Sequence, residues 1–360
     1  MRTALLSDLH LGAVSGRDVL RLPEPRERLV GALEGAERVV VLGDLLELRE
    51  QPVARVLETA SPALKALREA CRDKELIVVP GNHDHHLADA FLDRLRLEDQ
   101  DLGLEQRTEA SAHPGLLGRL AELLAGAELS LAYPGLWLRE DVYATHGHQV
   151  DVHMTVPRPE AIMASAMRRV TLRRAPSSPA DYEAILDPLY SLFHGIAQAS
   201  SQTALERTGG ASRKAWRLLE GGGLGGFAVG RVGVPAGVLA LNAAGFGPFR
   251  PEITGAELRD SGLRAMSQAV DALDVRAQHV LFGHTHRPWP LPGRDGEWRT
   301  PSGALLYNTG SWYHEGSLIA ADGPSSPYWP GTVTWLEASG PPRLENVLEG
   351  LVLDRGVTPP

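Results

Sequence analysis

Five short apolar runs in this chain are each followed directly by polar residues. The length and the β-branched content of these runs are typical of buried strands, and the runs are too short for helices. They cover Thr3–Leu6, Arg38–Leu42, Leu76–Val79, Val142–Thr145 and His279–Phe282. Helical patterns separate the first three runs, most clearly Val53–Ala70, whose apolar side chains share one face. This alternation predicts right-handed crossover units with their loops gathered at the carboxyl ends of the strands.

The polar residues after these runs are of the types that bind divalent metals. Along the chain they are Asp8, His10, Asp44, Asn82, His83, Asp84, His146, His148, His284 and His286. Imidazole nitrogens and carboxylate oxygens are the usual ligands of borderline metals. Because the loops gather at one edge, we expect these side chains to converge on a metal site.

Each fragment alone is weak evidence, since an Asp-x-His or Gly-Asp pair at a strand end is common. The hypothesis depends on five fragments in succession, each after a predicted strand. Four other histidines, His85, His86, His113 and His194, have no ligand spacing. We interpret them as surface or core residues.

The middle of the chain has a different character. It has helical patterns over Pro159–Arg174, Tyr182–Arg207 and Ala211–Glu220, and then the glycine-rich apolar segment Gly221–Gly247. We therefore interpret residues 151–274 as a helical and Gly-rich cap insertion. The main domain is then discontinuous, with residues 1–150 and 275–345, and residues 346–360 form a C-terminal tail. Further strands are predicted at Leu305–Asn308 and Thr332–Leu336.

Charge and cysteine content narrow the classes of function. With 36 basic and 45 acidic residues, the net charge of −9 disfavours binding along a nucleic-acid backbone. The single cysteine, Cys71, cannot form an intrachain disulfide, and the first apolar run is too short for a signal peptide. These features favour a cytoplasmic protein.

The motif order Asp-Leu-His, Gly-Asp, Gly-Asn-His-Asp, His-Gly-His and Gly-His-Thr-His resembles the calcineurin-like metallophosphoesterase superfamily. The similarity covers residues 3–151 and 278–311. It implies an α/β fold, a two-sheet α/β/β/α sandwich, that carries the mainly helical insertion. It also implies a phosphoric ester hydrolase with a binuclear centre of Mn, Fe, Zn or a mixture.

The same resemblance implies a role for each motif residue. It places Asp8, His10, Asp44 and His286 on one ion. It places Asp44, Asn82, His146 and His284 on the other. His83 would be the catalytic histidine that faces the leaving oxygen of the substrate, with Asp84 as its orienting partner. His148 receives no ligand role.

A weaker resemblance concerns the substrate. The stretches Ser7–Gly12, Gly43–Leu48 and Asn308–Trp312 are similar to UDP-2,3-diacylglucosamine pyrophosphatases, which split a pyrophosphate in a lipid-linked nucleotide under a helical cap. Those enzymes usually have His-Gly-Asp where this chain has His146-Gly147-His148. The expected substrate is therefore a phosphorylated small molecule, with a lipid-linked nucleotide as an alternative. A non-catalytic metal-binding scaffold is a further alternative.

Two interpretations remain open for Gly221–Gly247. One is a buried loop or short strand pair. The other is an apolar lid that shelters a lipid group or makes peripheral contact with a membrane. Its glycines and Pro235 make a transmembrane span a poor prediction.

Overall fold

The computed structural model describes residues 1–172, 174–199, 234–250, 255–319 and 323–353 of the chain. The chain divides into two compact units. The sheet unit comprises residues 1–148 and 274–360, and the helical unit comprises residues 149–273. The boundaries predicted from sequence, after residues 150 and 274, differ from these by at most two residues.

The described part of the sheet unit contains two sheets. The strands are β1 (Thr3–Leu6), β2 (Arg38–Leu42), β3 (Glu75–Val79), β4 (Gln106–Glu109), β5 (Glu128–Tyr133), β6 (Gly135–Arg139), β7 (Val142–Thr145), β8 (His279–Phe282), β9 (Leu305–Asn308), β10 (Thr332–Leu336) and β11 (Arg343–Asn346). Seven of them form a sheet in the order β11-β10-β1-β2-β3-β5-β4, and the other four form a sheet in the order β6-β7-β8-β9. Strands β1, β2, β3 and β5 are parallel, as are β7, β8 and β9.

Helices flank the larger sheet and build the helical unit. The sheet unit contains α1 (Pro23–Leu33), α2 (Val53–Ala70), α3 (Asp89–Leu97) and α4 (Gly115–Leu123). The helical unit contains α5 (Pro159–Thr171), α6 (Pro179–Ala199), α7 (Val234–Ala243) and α8 (Gly255–Ala272). The short α9 (Gly316–Ile319) belongs again to the sheet unit.

Alternate residues of the central strands are buried on opposite faces of the larger sheet. One face packs against the helices, in a core that includes Ala4, Val39, Leu76, Leu29 of α1 and Leu64 of α2. The other face packs against the smaller sheet, in a core that includes Leu5, Val40, Ile77, Ala144 of β7 and Leu281 of β8. Burial on both faces explains why these strands read as continuous apolar runs. The predicted α/β sandwich of two sheets with a mainly helical insertion is confirmed.

Most predicted elements coincide with observed ones. Six of the seven predicted strands have the observed bounds, and β3 begins one residue earlier, at Glu75. Helix α5 ends at Thr171, before the predicted Arg174, because Leu172 takes an extended conformation. Helix α6 begins at Pro179, ahead of the predicted Tyr182. The predicted helix over residues 211–220 lies outside the described residues.

One prediction about an irregular segment needs correction. Of the segment 221–247, residues 234–247 are described, and Val234–Ala243 forms a helix where a loop or strand pair was expected. Alanine and leucine favour this helix, and Pro235 is tolerated in its first turn. Residues 346–353, the described part of the predicted C-terminal tail, continue from β11, and Leu348 is completely buried there. Within the described ranges, no helix is long and apolar enough to cross a membrane.

Candidate metal centre

The five predicted motif loops meet at the carboxyl ends of β1, β2, β3, β7 and β8. Five of the motif residues have left-handed backbone conformations, with φ between 46° and 64°: Asp8, His10, Asp44, His284 and His286. Such values are uncommon for residues other than glycine and cost free energy. They turn the chain sharply after each strand and bring side chains from separate loops together.

The first group of donor atoms comes from the loops after β1, β2 and β8. His286 Nε2 lies 3.3 Å from Asp8 Oδ1 and 3.2 Å from His10 Nε2. Asp44 Oδ2 lies 3.7 Å from His10 Nε2. Because His10 donates its Nδ1–H to Glu47 at 3.1 Å, its Nε2 faces the group and can bind a metal ion once its proton is lost. The structure thus brings together the four side chains that the resemblance places on one ion.

The second group of donor atoms comes from the loops after β2, β3, β7 and β8. Asn82 Oδ1 lies 3.1 Å from His146 Nε2 and 3.0 Å from His284 Nδ1. Asp44 Oδ2 lies 3.4 Å from His146 Nε2. His146 donates its Nδ1–H to the Leu42 carbonyl at 3.0 Å, so its Nε2 faces the other donor atoms and can bind a metal ion once its proton is lost. Asp44 contacts both groups.

Such a cluster of lone pairs fits a cation. Two triads, Asp8–His10–His286 and Asp8–Asp44–His146, each place their ligand atoms within 4.8 Å of one another. Nitrogen and carboxylate oxygen atoms at this spacing repel unless a proton or a metal ion lies between them. The residues present therefore fit the divalent metals that the motif order implies.

Protons and a metal would compete for these lone pairs. Burial lowers the pKa of His10, but the Glu47 hydrogen bond and the charge of Asp44 outweigh it and raise the pKa to about 9. Burial is likewise outweighed by Asp44 at His146, whose pKa rises to about 10. The carboxylates therefore create a strongly negative electrostatic potential at the site, which attracts cations.

Two glycines let the loops approach this closely. A β-carbon on Gly43, whose φ is +89°, would overlap the His146 ring. A β-carbon on Gly81 would overlap the Asp44 carboxylate. Larger residues at these positions would push the donor side chains apart.

The hydrogen bonds of His83 differ from the prediction. His83 donates its Nδ1–H to Glu47 Oε2 at 2.6 Å, so Glu47 and not Asp84 orients the ring. Glu47 is 2% exposed and also accepts from His10. Burial raises the pKa of Glu47, but His83 and His10 outweigh this effect and lower it, so the carboxylate stays charged. Glu47 lies in the stretch Gly43–Leu48, where no ligand spacing indicates its role.

Asp84 connects the loops after β2 and β3. Its carboxylate accepts N–H groups from Gly81 at 2.8 Å and from Leu45 at 2.7 Å, with longer contacts to Asp44 and Leu46 at 3.2 Å. Burial, followed by the charge of Asp44, raises its pKa to about 6. Asp84 therefore shapes the backbone of two ligand loops. The predicted contact with His83 is replaced by these bonds, because the carboxylate points to the backbone.

Arg49 is a further residue that the sequence did not indicate. Its Nη1 lies 3.4 Å from His83 Nε2, the ring atom that Glu47 leaves accessible. Burial lowers the pKa of His83, with the charge of Arg49 acting in the same direction. The ring is therefore neutral and accepts the Arg49 N–H. The spacing of residues in the sequence does not indicate a role for Arg49, because its contact with His83 depends on the path of the loop.

Hydrogen bonds from the end of β9 and from the residues after it hold the ligand loops in place. Asn308 donates to the Gly283 carbonyl at 2.7 Å, next to His284. The Trp312 N–H and the Ser311 hydroxyl both donate to the Asp8 carbonyl, at 3.0 and 3.2 Å. These bonds fix the loops that carry the first donor group.

The remaining histidines have other neighbours. His148 is 2% exposed and stacks on Tyr133, with ring centroids 6.4 Å apart. His85 Nε2 lies 3.2 Å from the Tyr133 hydroxyl, and His113 Nε2 lies 2.7 Å from Thr108 Oγ1. The structure places these side chains in the packed interior of the sheet unit.

Comparisons with known proteins yield matches in structure alone. No family model and no curated protein matches this chain. A dimetal phosphatase from Danio rerio is 11% identical with a TM-score of 0.34, and the match covers 94% of this chain and 93% of that one. A cold-active protein-tyrosine phosphatase of a psychrophilic Shewanella species is 15% identical with a TM-score of 0.25, over 94% and 75%. The observed pair of sheets, of seven and four strands, is the arrangement that the motif order led us to expect.

Proposed function

We propose that this protein hydrolyses a phosphate ester or pyrophosphate with two divalent metal ions as cofactors. The observation that carries the proposal is the cluster of seven side chains, contributed by five loops, whose nitrogen and oxygen atoms face one another. Without metal, the raised pKa values of His10 and His146 mean that protons occupy this cluster, which is the behaviour of a site that attracts cations.

The two donor groups define the ligands. Asp8, His10, Asp44 and His286 would hold one ion, and Asp44, Asn82, His146 and His284 the other. Bound divalent ions supply Lewis-acid polarisation of a phosphoryl group and activation of water at neutral pH. The ligand set accepts Mn, Fe or Zn, so metal supply decides the identity.

His83 is the proposed proton donor to the leaving oxygen. Its ring is neutral beside Arg49, with Nδ1–H held by Glu47 and Nε2 accessible. A negatively charged phosphate near the ring would raise the pKa of His83 by opposite-charge attraction. Protonation at Nε2 would then accompany substrate binding, and that proton can pass to the departing alkoxide. Arg49 would pair with a phosphate oxygen.

The proposed substrate is a phosphorylated small molecule, with a lipid-linked pyrophosphate as the alternative. The net charge of −9 disfavours a nucleic-acid substrate. We also propose a cytoplasmic location. Peripheral membrane contact through residues 221–247 stays a prediction, because residues 221–233 lie outside the described residues.

The test combines metal analysis with a substrate panel. The purified chain would be loaded with Mn²⁺, Fe²⁺ or Zn²⁺, its metal content measured, and hydrolysis followed on nitrophenyl phosphate, bis-nitrophenyl phosphate and a UDP-sugar pyrophosphate. We expect about two ions per chain and metal-dependent hydrolysis of at least one compound. Two ions without hydrolysis would favour the non-catalytic scaffold, and failure to bind any ion would refute the proposal.

A further inference from the structure

The helical unit contains a cavity of about 230 Å³ between α5, the residues after α7 and the start of the unit. Its lining combines polar and aromatic side chains, which include His153, Ser165, Arg168, Phe246, Phe249 and Gln268. Every lining residue belongs to the helical unit. Ligand pockets commonly have this composition, in which apolar walls surround a few polar groups.

Most polar groups of this cavity already have protein partners. The Ser165 hydroxyl donates to the Phe246 carbonyl at 2.7 Å, and His153 Nε2 lies 2.6 Å from the Tyr182 hydroxyl. Arg168 is different, because its Nε is buried and has no hydrogen-bond partner among the described residues. A buried N–H without a partner is rare in folded proteins and costs free energy.

The neighbouring arginine shows what a satisfied guanidinium looks like in the same helix. Arg169 donates to the Ala244 carbonyl and lies 5.5 Å from the centre of the Phe246 ring. None of the described residues that line the cavity is an aspartate or a glutamate, so no lining residue is a counter-ion for Arg168. Burial, with the charge of Arg168 next, lowers the pKa of His153 to about 4, so His153 is neutral at neutral pH. Among the described residues that line the cavity, Arg168 is therefore the one charged side chain, and no acidic side chain accompanies it.

We infer that this cavity binds a small organic monoanion, a carboxylate attached to an apolar body, through Arg168. The guanidinium fork matches a carboxylate in shape and charge. A phosphate monoester would bring up to about two negative charges to a single cation. The aromatic rings of Phe246 and Phe249 would contact the apolar body. A volume of about 230 Å³ lies below the range of drug-sized pockets, which indicates a small ligand.

The inference is tested by titrating the metal-loaded full chain with benzoate, observed by ligand-detected NMR. Benzyl alcohol serves as the neutral isostere and inorganic phosphate as the more highly charged anion. Arg168→Gln should weaken benzoate binding about tenfold or more and leave benzyl alcohol unchanged. The control is Arg250→Gln, which removes the same charge from an exposed arginine of the same unit, 3.5 Å from Glu257; it should bind benzoate like the wild type.

A second variant covers the case in which Arg168→Gln fails to fold. Ala175 is exposed and lines the cavity, so Ala175→Phe should block it and abolish benzoate binding without disturbing a buried core. The inference is wrong if benzoate binds equally to wild type, Arg168→Gln and Ala175→Phe. It is also wrong if chelating the metals abolishes the binding, or if phosphate binds through Arg168 more tightly than benzoate. These outcomes are independent of whether the sheet unit hydrolyses phosphate esters.

Discussion

The candidate metal centre of the sheet unit and the cavity of the helical unit differ in how their polar groups are satisfied. In the sheet unit, Glu47 accepts from two histidines and Asp84 accepts from the backbone of two loops. In the helical unit, the buried Nε of Arg168 has no partner among the described residues. The first arrangement is a network whose members come from distant parts of the chain. The second is a single side chain that a ligand would complete.

This difference shows why sequence reasoning succeeded in one unit and not in the other. A network on strand ends repeats a recognisable unit, an apolar run followed by polar residues, five times. A single arginine on an amphipathic helix belongs to no repeated sequence pattern. It resembles its exposed neighbours, such as Arg169, until the packing around it is known.

The largest effect is expected at the carboxylate shared by both donor groups. Asp44→Asn removes a charge that both ions would use, so we expect metal loss and a fall in activity beyond the roughly 10⁴-fold that a positioned acid or base supplies. The matched control is Asp73→Asn, an exposed aspartate that also has positive φ, 58°. Metal analysis with kcat/KM decides the matter. Two retained ions with undiminished turnover would contradict the shared role.

The second effect concerns His83, the proposed proton donor. His83→Ala should retain both ions and slow turnover by about 10²–10⁴. The loss should be smaller for nitrophenyl esters, whose leaving groups need little protonation. The measurement is kcat for activated and unactivated esters of the same phosphate. Equal losses for both would show that His83 serves binding or metal geometry instead.

A smaller effect is expected from Glu47→Gln, because Glu47 orients His10 and His83 without belonging to either donor group. Loss of such an outer partner typically costs about 10–100-fold in metal affinity or activity. Glu37→Gln, an exposed glutamate of the same unit, is the control. Metal affinity and kcat/KM of both variants test this. If Glu47→Gln behaves like its control, then the network does not depend on this carboxylate.

The smallest effect belongs to the helical unit. Burial lowers the pKa of His153 to about 4 in the folded protein. Below about pH 6.5 His153 therefore binds a proton in the unfolded chain, whereas in the folded unit it does so only near pH 4. Stability should therefore fall as the pH drops from 7 to 5, by about 2 kcal/mol or less. Hydrogen exchange of α6 amides, corrected for intrinsic rates, measures this.

The variant His153→Gln keeps a hydrogen-bond partner for Tyr182 and should abolish most of that pH dependence. His86→Gln, in the sheet unit, is the control and should leave it unchanged. A pH dependence that persists in His153→Gln would mean that other groups cause it. The same variants should leave metal content unaltered, which separates the chemistry of the two units.

Much of the sheet unit could be predicted because local pattern and tertiary environment agree there. Strands such as β2 are buried on both faces, so their sequence is apolar throughout and their ends are visible. Four strands, β4, β5, β6 and β11, escaped prediction. In β4 and β11 every second residue is exposed, and their sequences, Gln-Arg-Thr-Glu and Arg-Leu-Glu-Asn, resemble loops. Helix α7 escaped because its surroundings in the sequence are rich in glycine.

The sequence by itself determined the order of the motifs, the strands that precede them and the residue types able to hold metal. Only the tertiary structure decided which side chains meet. Asp84 follows His83 in the chain, yet the His83 ring forms its hydrogen bond with Glu47, which lies in another loop. The physical reason is that a hydrogen bond depends on the direction of a side chain, which the left-handed turns at Asp44 and its counterparts set. Arg168 shows the same dependence, because only the fold places its Nε beside a cavity without a hydrogen-bond partner among the described residues.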